Sequence, residues 1–195
     1  MRKSPPASIL GLEVRPANRN ELPAIVEGMN TFYREHNLWS PVSVDTLEDF
    51  LGQEVAEVKP NQLYVVARGE EVVAGLSLSD RTKLVRMRLA RAPWYVRQLG
   101  SWLGLLPASG ILDALTVRRV WFWEGELEAA RYLWNSLRYE LRESGSCLGI
   151  AYDPRDRLAD VFQIPFWLPM FKALYLVRAS DPLEVERLVY CIAGP

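Results

Sequence analysis

Histidine is nearly missing from this 195-residue chain and cysteine is scarce, with one His and two Cys. Their scarcity excludes a disulfide framework and a metal set of the usual His/Cys spacing. An excess of charge of one sign is lacking too. Lys and Arg number 23 against 24 Asp and Glu, for a formal net charge of −1. No global field therefore pulls the chain toward nucleic acid or an acidic membrane, and no nucleic-acid partner is expected. Long hydrophobic runs are absent as well. The longest charge-free stretch, residues 98–112, is broken by Gly100, Gly104, Pro107 and Gly110 and is too short to span a bilayer. Residues 1–6 are basic, but no apolar segment of signal-peptide length follows before Glu13 and Arg15. The expectation is a cytoplasmic protein with no repeats and no low-complexity tract.

What is present is an ordinary globular composition, 49% hydrophobic, on a chain long enough to bury a sizeable core. Residues 1–11 read as a flexible tail and 12–195 as one domain carrying an insertion at 81–110. Cys147 and Cys191 sit in apolar, strand-like runs and read as buried, reduced thiols.

Hydrophobic periodicity divides the chain. Leu12 to Ala17 alternates like a strand and ends in a turn. Asn18 stands three residues before Glu21, a capping-box arrangement. The helix that follows places Leu22, Ile25, Val26, Met29 and Phe32/Tyr33 on one stripe. Trp39-Ser40-Pro41 ends it, and Ser43 caps a shorter helix with Leu47, Phe50 and Leu51 toward the core. Leu63 to Ala67 and Val72 to Leu78 flank Arg68-Gly69-Glu70-Glu71, a hairpin signature. Leu115 to Trp123 reads as a strand, Glu126 to about Ser144 as a helix with Gly145 beyond its end, and Cys147 to Tyr152 as a second strand. Asp153 to Asp156 turns into a short helix over Leu158 to Gln163. Pro165 to Pro169 is an irregular aromatic connection, and Leu174 to Ala179 with Glu186 to Ala193 form a last strand pair. The class is α/β: a mixed sheet with helices on both sides.

The region from Leu112 to Asp153 carries the most information. Strand, crossover helix and strand make a right-handed parallel unit, whose turn often holds an anion at the helix N-terminus. Here that turn is Glu124-Gly125-Glu126, and its two carboxylates have the wrong sign for a phosphate. The element order, with Leu115-Thr116-Val117 as the fourth strand, resembles the GNAT superfamily of acyl-CoA-dependent N-acetyltransferases over residues 12–193. The resemblance implies the GNAT-like acyl-CoA N-acyltransferase fold, with acetyl-CoA or a related acyl-CoA wedged between the fourth and fifth strands and no metal. It also implies a loop of pattern [R/Q]xxGx[G/A] around the pyrophosphate. In this chain the loop reads Phe122-Trp123-Glu124-Gly125-Glu126-Leu127. Only Gly125 matches; Phe122 replaces the Arg or Gln and Leu127 the second small residue.

The family's Tyr, a general acid for the departing thiolate, aligns with Phe162, which has no proton to give. Tyr152 is the nearest substitute, though a strand-end Tyr with its hydroxyl in water is the plainer reading. Asp113, Asp80 and Glu124 are candidate bases by position. The implied cofactor-binding set is Val117, Arg118, Arg119 and Val120 on the fourth strand, through main-chain groups for a pantetheine arm, with Gly125 and Glu126 at the helix start. Neighbouring Arg118 and Arg119 point to opposite faces of a strand, so at most one serves a single site.

Residues 81–110 carry Arg81, Lys83, Arg86, Arg88, Arg91 and Arg97 with no acid, mixed with Trp94, Tyr95 and Trp102. Three readings stay open for this insertion. It is a lid over the cleft, an interfacial segment on a membrane, or a solvated loop whose Trp and Leu side chains pack on the core or on a second copy of the chain. Trp94 and Trp102, with Phe166 and Trp167, are candidate lining for an apolar acceptor pocket. The function classes are an N-acyltransferase acting on a small-molecule amine, or a binding or interaction module that keeps the fold without turnover.

Overall fold

The structure, a computed structural model, describes residues 4–80, 82, 84, 87–88, 111–112, 114–142, 147–165, 184 and 186–191. Trp94, Trp102, Asp113, Gly145, Phe166, Trp167 and the Leu174–Ala179 strand lie outside the described residues.

β1 (Leu12–Pro16) pairs antiparallel with β2 (Asn61–Arg68), and β2 turns back as β3 (Glu71–Asp80). β3 pairs antiparallel with β6 (Ala114–Phe122), which pairs parallel with β7 (Cys147–Gly149). The order β1-β2-β3-β6-β7 is the mixed sheet the sequence implies. A two-stranded ribbon, β4 (Met87–Arg88) with β5 (Ile111–Leu112), closes the base of the 81–110 segment.

Between β1 and β2 lie α1 (Leu22–Phe32) and α2 (Val44–Gly52). A 3-10 turn, Arg19–Glu21, leads into α1, and there Glu21 accepts from the Asn18 amide at 2.7 Å while also pairing with Arg15. The α1 stripe is buried at Leu22, Ile25, Met29 and Phe32. Ser43 Oγ caps α2 by accepting from the Thr46 amide at 3.2 Å. Of the three residues expected on the core side of α2, Leu47 is buried, whereas Phe50 and Leu51 are half-buried at its edge. α3 (Leu127–Glu140) and the short α4 (Leu158–Phe162) complete the described elements.

The core is organised around Trp121, which is fully buried on β6. Its indole lies flat against two glycines: a β-carbon on Gly28 of α1 would sit 2.1 Å from the ring, and one on Gly75 of β3 would sit 2.8 Å from Nε1. Side chains are excluded on both sides, and α1 is thereby seated close to β6.

Two boundaries differ from expectation. The strand expected over Cys147 to Tyr152 stops at Gly149, and Ile150 to Tyr152 leave the sheet. The strand expected over Glu186 to Ala193 is reduced, among the described residues, to one parallel bridge between Val189 and Asn37. Cys191 is only half-buried, not enclosed.

Candidate functional site

The feature that organises this region is a bulge in β6. β3 and β6 pair at Ser77–Arg118 and again at Gly75–Trp121, so Arg119 and Val120 together face the single Leu76. The extra residue is accommodated by Arg119, whose φ of 51° lies in the left-handed region that non-glycine residues avoid. Two hydrogen bonds hold the kink: Ser77 Oγ donates to the Arg118 carbonyl at 2.9 Å, and the buried Tyr33 hydroxyl donates to the Val120 carbonyl at 2.6 Å. Non-glycine strain of this kind costs roughly 1–3 kcal/mol and persists where the surroundings over-determine it.

The bulge coincides with the end of the parallel pairing. β6 and β7 are joined at Ala114–Cys147, Leu115–Leu148 and Thr116–Gly149, and then part. From Val117 onward β6 has, among the described residues, a strand partner only on its β3 side. The resulting cleft is walled by Val117 to Val120 on one side and by Ile150 to Tyr152 on the other. Tyr33, Asp156, Leu158, Phe162, Val189, Tyr190 and Cys191 complete its lining. The enclosed volume is about 10 Å3, room for roughly one water. The strands diverge, but aromatic side chains narrow what lies between them.

A buried acid–base pair adjoins the cleft through Asp156, which lines it. His36, just beyond α1, and Asp156, before α4, meet at 2.9 Å between Nε2 and Oδ2, with side chains only 6% and 3% exposed. Asp156 Oδ1 also accepts from the Leu158 amide at 3.1 Å. In the tautomer whose Nε2 donates to Asp156, Nδ1 carries the imidazole lone pair. That Nδ1 is buried and has no hydrogen-bond partner among the described residues. Nearby, Asp153 accepts from Arg155 and from the Val189 amide, tying residues 187–191 to the cleft wall. The Arg155 guanidinium and these amides hold the Asp153 carboxyl down to about 2.

Burial acts the other way on the hydroxyls and the thiol. Tyr152, packed at 5.1 Å from the Phe162 ring, keeps its proton to higher pH because it is desolvated. Burial likewise raises Tyr190, partly offset by the neighbouring Arg119 guanidinium, and raises Cys191.

At the other end of β6, the turn from Trp123 to Glu126 closes with the Glu126 amide donating to the Trp123 carbonyl at 3.0 Å. Gly125 takes φ 84° within it, a conformation that favours glycine. No side chain caps α3 at Glu126, so its first-turn amides remain open to an anion. Glu126 is bound by both terminal nitrogens of Arg68, at 2.5 and 2.8 Å, which offsets its charge. Glu124 is exposed on the same turn.

The structure thus brings Val117, Arg118, Arg119, Val120 and Tyr152 of the expected set to one cleft, the bulge at Arg119 undoing the alternation expected to part Arg118 from Arg119. It places Gly125 and Glu126 just beyond the end of the same strand. Glu124 is not a cleft-lining residue, and Asp80 is engaged with Thr82. Asp156, Tyr33 and Tyr190 are additions to the lining, and His36 joins them only through its pairing with Asp156. Tyr33 reads in sequence as part of a core stripe, and His36 and Asp156 stand 120 positions apart. The one available signal was that His36 is the sole histidine.

Among the described residues, no group of three or more His, Cys, Asp or Glu is arranged to hold a metal, and no helix is long and apolar enough to cross a membrane. A mixed sheet whose two parallel strands part beside a bulge, with a helix starting at the far end of the first, matches the GNAT fold of acyl-CoA-dependent N-acyltransferases. Solved structures agree. A GCN5-related N-acetyltransferase from Ralstonia eutropha JMP134 superposes with a TM-score of 0.51 at 15% identity, covering 86% of this chain and 99% of that one. An aminoglycoside acetyltransferase from an uncultured soil metagenomic sample, solved with trehalose, gives 0.51 at 13% identity over 87% and 97%. A Clostridium acetobutylicum structure described as a predicted acetyltransferase with acetyl-CoA gives 0.50 at 9% identity over 85% and 96%. No family model and no curated protein matches the sequence. The chain is therefore a sequence-divergent example of the GNAT fold.

Proposed function

We propose that this chain is an acyl-CoA-dependent N-acyltransferase that acylates a small-molecule amine. The observation that carries the reading is the parting of β6 and β7 at the Val117–Val120 bulge, which among the described residues leaves main-chain groups of β6 without a strand partner on that side. A pantetheine arm is slender and amide-bearing, and it suits such an edge. The phosphates would lie at the Gly125 turn and the uncapped start of α3, where Arg68 already offsets Glu126. The enclosed space is small, so admission of the arm requires Tyr190 and its segment to give way.

In the reaction the amine nitrogen attacks the thioester carbonyl, a C–N bond forms and the C–S bond breaks. The amine proton passes to the His36–Asp156 pair, of which Asp156 lines the cleft. Tyr152, kept protonated by burial, supplies a proton to the departing thiolate. Holding donor and acceptor side by side provides much of the acceleration in such transfers.

Thermal unfolding with acetyl-CoA tests the reading. At a hundredfold excess over Kd, binding stabilises the native state by about 2.7 kcal/mol, a rise of several degrees in midpoint. An unchanged midpoint would refute the acyltransferase and leave a fold used for binding or interaction alone.

A further inference from the structure

We infer that Arg119 recognises a carboxylate on the acceptor, so that the amine acylated in this cleft belongs to a small amino acid rather than to a simple amine or a polyamine. The inference rests on the acyl-transfer reading and names its substrate class. Arg119 is the residue forced into left-handed backbone by the bulge, which turns its side chain toward α2. Its guanidinium lies 4.8 Å from the centroid of the Phe50 ring and beside the Tyr190 hydroxyl, and it lines the cleft. Stacking on an aromatic face satisfies part of the charge but none of the in-plane N–H donors. One of those nitrogens, Nη1, is buried and has no hydrogen-bond partner among the described residues. A buried donor on a cation is costly to leave unmade, and the group that fits a guanidinium edge is a planar oxyanion held by paired bonds.

Two anions come to such a cleft, the phosphates of acyl-CoA and a carboxylate on the acceptor. The phosphate end belongs to the Gly125 turn, six residues further along the chain. Arg119 packs instead on Phe50 and Tyr190, in the cleft that Asp156 also lines. The carboxylate of the cleft itself is no competitor for Arg119. Asp156 is taken by His36 Nε2 and by the Leu158 amide.

The test uses the full chain, acetyl-CoA, and matched pairs of acceptors: glycine, leucine and phenylalanine, each against its own amide. Free thiol release gives kcat/KM. A second readout, the midpoint shift produced by N-acetylphenylalanine against N-acetylphenylalaninamide, needs no turnover. The acids are expected to be preferred at least tenfold, mainly through KM. Arg119→Asn, chosen because Asn tolerates left-handed backbone, is expected to erase that preference and leave the acetyl-CoA midpoint shift intact. Arg119→Lys, which keeps the charge without the fork, is expected to fall between the two. Equal handling of acid and amide by the wild-type protein in both readouts overturns the inference. So does loss of the acetyl-CoA shift in a folded Arg119→Asn, which would place phosphate at this residue. An absent acetyl-CoA shift in the wild-type protein instead overturns the acyl-transfer reading, so the two failures are distinct.

Discussion

Replacing Gly28 by Ala sets two effects of similar size against each other, and the structure decides between them. In an exposed helix the change would stabilise by about 1 kcal/mol, because alanine loses less backbone freedom on folding. Here the new methyl would lie 2.1, 2.4 and 2.5 Å from three carbons of the Trp121 ring. Ordinary carbon contacts are about 3.5–4.0 Å, so the overlap exceeds 1 Å at each. The ring has little room to retreat, since it is fully buried and also packs close on Gly75, where an added β-carbon would be 2.8 Å from Nε1. Helix α1 must therefore lift from β6, and overpacking of this kind costs roughly 1–3 kcal/mol or more. We expect a net loss of about 2 kcal/mol, a fall of about 4–8 °C in Tm for a domain of this size. The same shift moves Tyr33 off the Val120 carbonyl and so weakens stabilisation by acetyl-CoA. Differential scanning calorimetry with and without acetyl-CoA checks both. A Tm equal to or above wild type would refute the close seating of α1 on Trp121 and the argument built on it.

Three further outcomes are expected. Tyr33→Phe leaves the buried Val120 carbonyl without its donor and should cost about 1–3 kcal/mol in urea unfolding, with kcat/KM falling as the bulge relaxes; unchanged values would show that the bulge holds without it. Asp153 has its folded pKa depressed from 3.8 to about 2, so its stabilisation is complete above about pH 4 and vanishes as pH falls through 2. Asp153→Asn should therefore lose about 2 kcal/mol at pH 7 and nothing below pH 2, and a pH-independent difference would contradict the assignment. Tyr152→Phe should lower kcat by about 10²-fold or more while leaving the acetyl-CoA midpoint shift unchanged, as expected for a proton donor; wild-type turnover would remove it from the mechanism.

Local patterns in the chain were enough to locate most elements and the strand that matters. The α1 stripe from Leu22 to Phe32, the Ser43 cap, the Arg68–Glu71 turn and the parallel unit around Gly125 depend on neighbours a few residues apart, and short-range periodicity and turn chemistry report such neighbours directly. The reading also singled out Val117–Val120 as a binding edge and Tyr152 as a proton-donor candidate, and these residues line one cleft. It overextended the strand after α3 to Tyr152, because apolar alternation through Ile150 and Tyr152 looks the same whether a strand stays paired or parts from its neighbour.

What only the tertiary structure decided is where distant side chains meet. A bulge is a mismatch in count between two strands, Leu76 against Arg119 and Val120, and neither strand alone reveals it. His36 meets Asp156 across 120 positions, and Arg68 finds Glu126 across 58. Such encounters are set by the stacking of whole elements on Trp121 and its two glycines, a packing condition that no local window of residues expresses.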